Sequence, residues 1–157
     1  MYGGWGSASW GSVGNDAVVG GHSKGGEKHY VGRSFVIDSL IPGKIVPSHK
    51  CIYVPYDGRE ISSRNYEYMK KPKCGKIDWI QVFKGDYIPS TCVSVGVSKN
   101  HRALLVGRTY HNGSLVIGKV DLSDGFIYIS YNGKEFCYDS YEVLVIEEKK
   151  KNFCTML

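Results

Sequence analysis

The sequence contains no apolar run near the roughly 20 residues that a helix needs to cross a bilayer. Nor is there any window where apolar residues recur with the 3.6-residue period of an amphipathic helix. These absences leave no support for a helical fold or a membrane-spanning helix. Cys-x-x-Cys is missing, and the five histidines, His22, His29, His49, His101 and His111, form neither H-x-H nor H-x-x-x-H, so no zinc-type ligand spacing is present. Gly-x-Ser-x-Gly, a P-loop and a Cys/His pair with a local signature are also lacking. Catalysis therefore has no recognisable nucleophile, base or cofactor cradle, and no enzyme activity, cofactor or metal is expected. The opening MYGGWGSASWGSVGND is glycine-rich, but a dinucleotide loop needs a strand before it and a helix after it. The same stretch has no basic start and no apolar core, so it does not read as a secretory signal.

Charge is also modest. The formal balance of +5 comes partly from two clusters, Lys70, Lys71 and Lys73, and Lys149 to Lys151. No helix-turn-helix and no aromatic RNA-binding signature accompanies them, so nucleic acid is not expected as a partner.

What is present is glycine (20) and tyrosine (12) in a chain of 157 residues, a composition that suits turns and strands. It is also doubled. SLIPGKIVPSHKCIYVPYDGREISSRNYEYM, from Ser39 to Met69, aligns without a gap with SLVIGKVDLSDGFIYISYNGKEFCYDSYEVL, from Ser114 to Leu144, at an offset of 75 residues. The match extends upstream through VGRSF (Val31 to Phe35) and VGRTY (Val106 to Tyr110).

Each copy predicts a hairpin. Ile52 to Tyr56 and Ile127 to Tyr131 are β-branched and aromatic, and each is followed by Asp57-Gly58 or Asn132-Gly133, residues that tolerate the positive φ of a type I′ turn. Upstream, Ala17 to Arg33 and Cys92 to Arg108 read as strand, turn and strand, with Gly25-Gly26 opposite Asn100-His101 at the tips. Trp5 falls within one residue of Trp79 at the common offset and Val13 falls on Ile88, so each unit begins with a tryptophan-bearing strand. Pro42-Gly43 suggests a type II turn, which would place Lys44 beside a tight bend.

Cysteine is sparse, odd in number and dispersed: Cys51, Cys74, Cys92, Cys137 and Cys154. No disulfide framework is suggested. Cys51, Cys92 and Cys137 align with Phe126, Ala17 and Ser62, as free buried thiols would, and a reducing, cytoplasmic location is expected. Arg33 and Arg108, with Glu60 and Glu135, recur in both copies and read as ion pairs serving each repeat.

The recurring set is VGR, PGK, an aromatic strand with a DG or NG turn, a following R-E or K-E, and then YE. In this order, twice over, it resembles the DM9 repeat from about Trp5 to about Ile146. The resemblance implies an all-β fold of antiparallel strands and hairpins. Two tandem repeats related by a pseudo-twofold axis would form a single compact domain, with units at 1–75 and 76–150 and a tail at 151–157. It also implies a lectin, similar to mannose-binding proteins of innate immunity that associate as homodimers. In that family the sugar is held by an Asp in the first turn and by the Lys of PGK, which fall here on Ser23 and Lys44 and on Ser98 and Lys119. Serine brings no charge where the family has a carboxylate, which turns the expectation from mannose-containing glycans towards anionic sugars facing an unpaired lysine.

The chain ends Cys154-Thr155-Met156-Leu157, a C-a-a-X pattern with basic residues upstream, so prenylation at Cys154 and peripheral attachment to a membrane or vesicle are the alternative expectation. On that alternative the chain is an adaptor that keeps the fold without binding sugar. Asn112-Gly113-Ser114 would be a glycosylation sequon only in a secreted chain.

Overall fold

The computed structural model describes residues 4–148, with no description of the Glu148 side chain. The first half forms β1 (Trp5–Ser9), β2 (Val19–His22), β3 (Lys28–Val36), β4 (Ser39–Val46), β5 (Cys51–Tyr56), β6 (Arg59–Ser63) and β7 (Asn65–Met69). The second half repeats them as β8 (Gly75–Phe83), β9 (Ser94–Val97), β10 (Ala103–His111), β11 (Ser114–Asp121), β12 (Phe126–Tyr131), β13 (Lys134–Tyr138) and β14 (Ser140–Glu148). A short 3-10 turn, Pro47–His49, joins β4 to β5. The tryptophan-bearing first strands are present in both halves, and the first is the shorter. No helix among the described residues is long and apolar enough to cross a membrane.

All the strands lie in one 14-stranded antiparallel sheet, ordered β1-β7-β3-β2-β11-β12-β13-β6-β5-β4-β9-β10-β14-β8. If each strand is exchanged for its counterpart in the other half, this order reads the same from either end, which is the topological form of a pseudo-twofold axis. The halves do not sit side by side. His22 of β2 pairs with Leu115 of β11, and Val97 of β9 pairs with Leu40 of β4, so each half lends a strand to the other. The shared hydrophobic cluster has the same symmetry, with Val18, Val31 and Met69 packed against Val93, Val106 and Leu144. Each fully buried side chain of this size stabilises by roughly 1.5–3 kcal/mol, so the two halves depend on one another. Flanking clusters centre on Ile45, Ile52 and Val54 in one half and on Val120, Ile127 and Ile129 in the other.

The hairpin expectations hold. Asp57 and Gly58 have φ of 52° and 78°, and Asn132 and Gly133 have φ of 49° and 83°, positive at both central positions as a type I′ turn requires. The Gly25-Gly26 and Asn100-His101 tips also turn, through positive φ at Gly26 and His101.

The expected turn at Pro42-Gly43 does not form. Both residues lie inside β4, with Pro42 opposite Arg33 and Gly43 opposite Gly32. Gly43 is required for another reason: a Cβ there would lie 2.1 Å from the Tyr53 carbonyl oxygen, and one at Gly118 would lie 2.1 Å from that of Tyr128. Close backbone approach explains these glycines, and the lysines that follow them stand in mid-strand.

Candidate functional site

Lys44 faces the other half of the molecule. Its Nζ donates to the Ser130 carbonyl oxygen at 2.9 Å and lies 3.4 Å from Glu60 Oε2. Lys119 Nζ makes the mirror-image contacts, donating to the Pro55 carbonyl oxygen at 2.9 Å and lying 3.4 Å from Glu135 Oε2. Each ammonium is flanked by one tyrosine from its own half and one from the other. For Lys44 these are Tyr53 and Tyr131, with ring centres at 5.6 and 5.5 Å; for Lys119 they are Tyr128 and Tyr56, at 5.6 and 6.0 Å. Such distances are within cation–π range. The lysines are therefore not unpaired, as the sequence suggested. Burial lowers the Lys44 pKa, and the Glu60 carboxylate acts against that shift.

The carboxylates complete the exchange. Glu60 Oε1 accepts from the Gly133 amide at 3.1 Å, and Glu135 Oε1 accepts from the Gly58 amide at 3.3 Å. The Glu60 and Glu135 amides donate to the carbonyls of Gly133 and Gly58, both at 3.0 Å. The two hairpin tips are thus docked against each other, and each lysine holds its glutamate in place from beneath. These glutamates are not the arginines' partners. Arg33 Nε donates to Glu67 at 2.9 Å and Arg108 Nε donates to Glu142 at 3.0 Å, while their Nη1 atoms reach the carbonyls of Val95 and Gly20 across the repeat boundary. Each guanidinium also stacks on a tryptophan, Arg33 on Trp5 and Arg108 on Trp79. The arginine pairs do serve the fold, but with the YE glutamates and between repeats.

Above each lysine lies a cavity built from both halves. The Lys44 cavity, of about 370 Å³, is lined by Ser23, Glu27, His29, Tyr53 and Glu60 and by Tyr131 and Asn132. The Lys119 cavity, of about 230 Å³, is lined by the counterparts Ser98, Arg102, Leu104, Tyr128 and Glu135 and by Tyr56 and Asp57. The structure thus brings Ser23 together with Lys44 and Ser98 together with Lys119. Both serines also close the turns they stand in: Ser23 Oγ accepts from the Glu27 amide at 3.0 Å and Ser98 Oγ accepts from the Arg102 amide at 3.2 Å.

The cavities differ at their walls. Where the first has His29, the second has Leu104; where the first has Glu27, the second has Arg102. Glu27 is held by Ser48, whose amide and hydroxyl donate to its two oxygens at 3.0 and 2.8 Å. His29 is 6% exposed, and neither ring nitrogen has a hydrogen-bond partner among the described residues. Its nearest carboxylate oxygen, on Glu27, lies 3.7 Å from Nε2, too far for a hydrogen bond. Burial, and then the Lys44 charge, pull the His29 pKa down to about 4, so the ring is neutral at pH 7. A buried polar group without a partner costs about 1–3 kcal/mol.

Sequence reasoning missed His29, Tyr53 and Tyr131. The signal available in the duplication was a histidine and a leucine at one position, two residues before the shared VGR. Of the cysteines, Cys51 is a free buried thiol, Cys92 is free and half-buried with its pKa pushed up to about 11 by burial, and Cys137 is free but exposed. Cys74 is disulfide-bonded, where the sequence suggested no disulfide framework. Cys154 lies outside the described residues. Among those residues no three metal-ligating side chains cluster.

Three comparisons bear on kinship. No curated protein matches the sequence at a significant level. The fold is similar to that of the nematode sperm cell motility protein MFP2B in its crystal structure, with a TM-score of 0.67 and 17% identity over 94% of this chain and 46% of that one. The chain thus spans less than half the length of that relative. The DM9 repeat matches residues 2–63 and 24–138 in two overlapping stretches. Most of the sequence is covered, and the chain belongs to the DM9 repeat family.

Proposed function

We propose that the chain is a non-enzymatic carbohydrate-binding module of the pattern-recognition kind, acting as a homodimer with two pockets per chain. The observation that carries this reading is the doubled cavity. In each one an ammonium, a carboxylate, a serine turn and two tyrosine rings converge from elements held rigid by the sheet. Saccharides need such a set: donors and acceptors for hydroxyls, and an aromatic face for the apolar side of the ring. Two halves that differ widely in sequence nevertheless build the same arrangement around Ser23 and Lys44 and around Ser98 and Lys119.

A glycan array probed with the intact protein tests this, with Tyr53→Leu and Tyr128→Leu variants checked for native melting. Binding that weakens at least tenfold in either variant supports the proposal. A folded wild type that binds no saccharide overturns it.

One observation favours a second reading. Each ammonium already has a carbonyl and a carboxylate, so the lysine sites serve the fold even with nothing bound. On that reading the chain is an intracellular adaptor on membranes or vesicles, anchored through Cys154 in a form of the chain whose thiols are reduced. MFP2B, a relative in fold, is a sperm cell motility protein. Mass spectrometry of the protein from its own cells separates the two, since an unmodified Cys154 removes the anchor.

A further inference from the structure

The two cavities share a floor but not a wall, and the wall of the first contains a polar group that the fold leaves unused. His29 is packed to 6% exposure at the edge of the Lys44 cavity, with both ring nitrogens unpartnered. Its surroundings are Glu27 from its own hairpin, Lys44 from β4 and His49 from the turn that follows, with Glu60 lining the same cavity. A buried imidazole normally fixes its tautomer through a hydrogen bond to one nitrogen. Here no group among the described residues supplies it.

We propose that His29 is a specificity-determining contact. It would make the Lys44 cavity a site for a neutral pyranoside, whose hydroxyls bond to its unpartnered ring nitrogens, which are covered from solvent in the unliganded fold, while the Lys119 cavity, with Leu104 in that place, lacks this capacity. The proposal deepens the carbohydrate reading and rests on it. The chemistry favours a neutral ligand. A neutral imidazole offers one donor and one acceptor, and a sugar hydroxyl is both. Glu27 and Glu60 accept further hydroxyl protons, and Lys44 retains donor capacity beyond its bond to Ser130. An anionic sugar would bring its charge towards these two carboxylates, with the Lys44 charge already matched by Glu60. In the other cavity Leu104 offers no hydrogen bond, and Arg102 replaces the acceptor Glu27 with a donor.

The test titrates the full chain with methyl α-D-mannopyranoside, methyl β-D-galactopyranoside and methyl β-D-glucuronide. It reads affinity and stoichiometry by calorimetry and the ring-nitrogen resonances of His29 by NMR. Wild type is expected to bind one of the two neutral glycosides at one site per chain, shifting the His29 resonances. His29→Leu should melt no lower than wild type and lose at least tenfold in affinity, and His29→Gln, which keeps a donor and an acceptor, should restore part of the loss. Leu104→His should raise the stoichiometry to two. Unchanged neutral-glycoside binding in His29→Leu, two equal sites in wild type, or a preference for the glucuronide would overturn this inference and leave the carbohydrate reading standing. Absence of binding to all three glycosides overturns this inference, and absence of binding to every saccharide on the array overturns both.

Discussion

The Lys44 and Lys119 cavities can be compared position by position. Everything that joins the repeats is the same in both: the lysine, the glutamate on the docked hairpin, the carbonyl from the opposite half, the two tyrosines and the glycine that lets the strands close. What varies is the wall, His29 against Leu104 and Glu27 against Arg102. The lesson is that the lysine and glutamate are first a staple between repeats, and that the walls are left to differ. A lysine that both stabilises the fold and floors a pocket also explains why the ammonium is so deeply buried.

Breaking the staple should have the largest effect. Lys44→Met leaves Glu60 buried without its counter-charge and should cost about 3–5 kcal/mol in chemical denaturation. Lys119→Met should cost less, roughly 2–3 kcal/mol, since the Lys119 and Glu135 side chains keep 15% and 13% exposure against 9% and 10% for Lys44 and Glu60. Equal losses would remove the distinction between the two sites. Next come the glycines. Gly43→Ala and Gly118→Ala each drive a methyl group against a carbonyl oxygen 2.1 Å away and should each destabilise by about 1–3 kcal/mol, to the same extent within error.

The walls should separate the halves by pH. The pKa of His29 in the fold, about 4, lies below the ~6.5 of an unfolded chain. Between those values the unfolded chain takes up the proton and the fold does not. Its contribution is thus fully present above about pH 6.5 and is lost as pH falls towards 4. The difference in denaturation free energy between wild type and His29→Leu should therefore shift in the variant's favour over that window. The expected size is on the order of 1–2 kcal/mol, allowing for solvent at the cavity mouth. A parallel pair of pH profiles would show that His29 is not the buried neutral ring described. The smallest effect is expected at the β3–β4 tip. There Ile37, 86% exposed, sits at φ 55°, where the β10–β11 tip has Asn112 at φ 50°. Ile37→Asn should stabilise by about 1 kcal/mol, read as a rise in melting temperature, because a β-branched residue is strained in the left-handed region.

The hairpins, the doubled architecture and the all-strand class were legible because they depend on local chemistry: Asp-Gly and Asn-Gly at turns, aromatic and β-branched runs beside them. The Pro42-Gly43 pair misled, since its glycine answers to a carbonyl on β5, a tertiary constraint that no local pattern carries. The partners of Glu60 and Arg33 were illegible for a different reason. In a duplicated chain every residue has two equivalent candidates, one in its own copy and one in the other, and sequence spacing cannot distinguish them. Position alone predicted that Ser23 and Lys44 lie together, and they line one cavity, but the partner that occupies the lysine came only with the fold. His29 lay outside any motif.

The staple between the halves is tested most directly by native-state hydrogen exchange at the amides of Glu60 and Glu135, each bonded to a glycine carbonyl of the opposite repeat. Residues next to hairpin tips ordinarily exchange through local opening. Here both amides should exchange as slowly as those of Ile45 and Val120 in the core, through global unfolding alone. Exchange as fast as at the Gly85 turn would contradict the docking of the two tips.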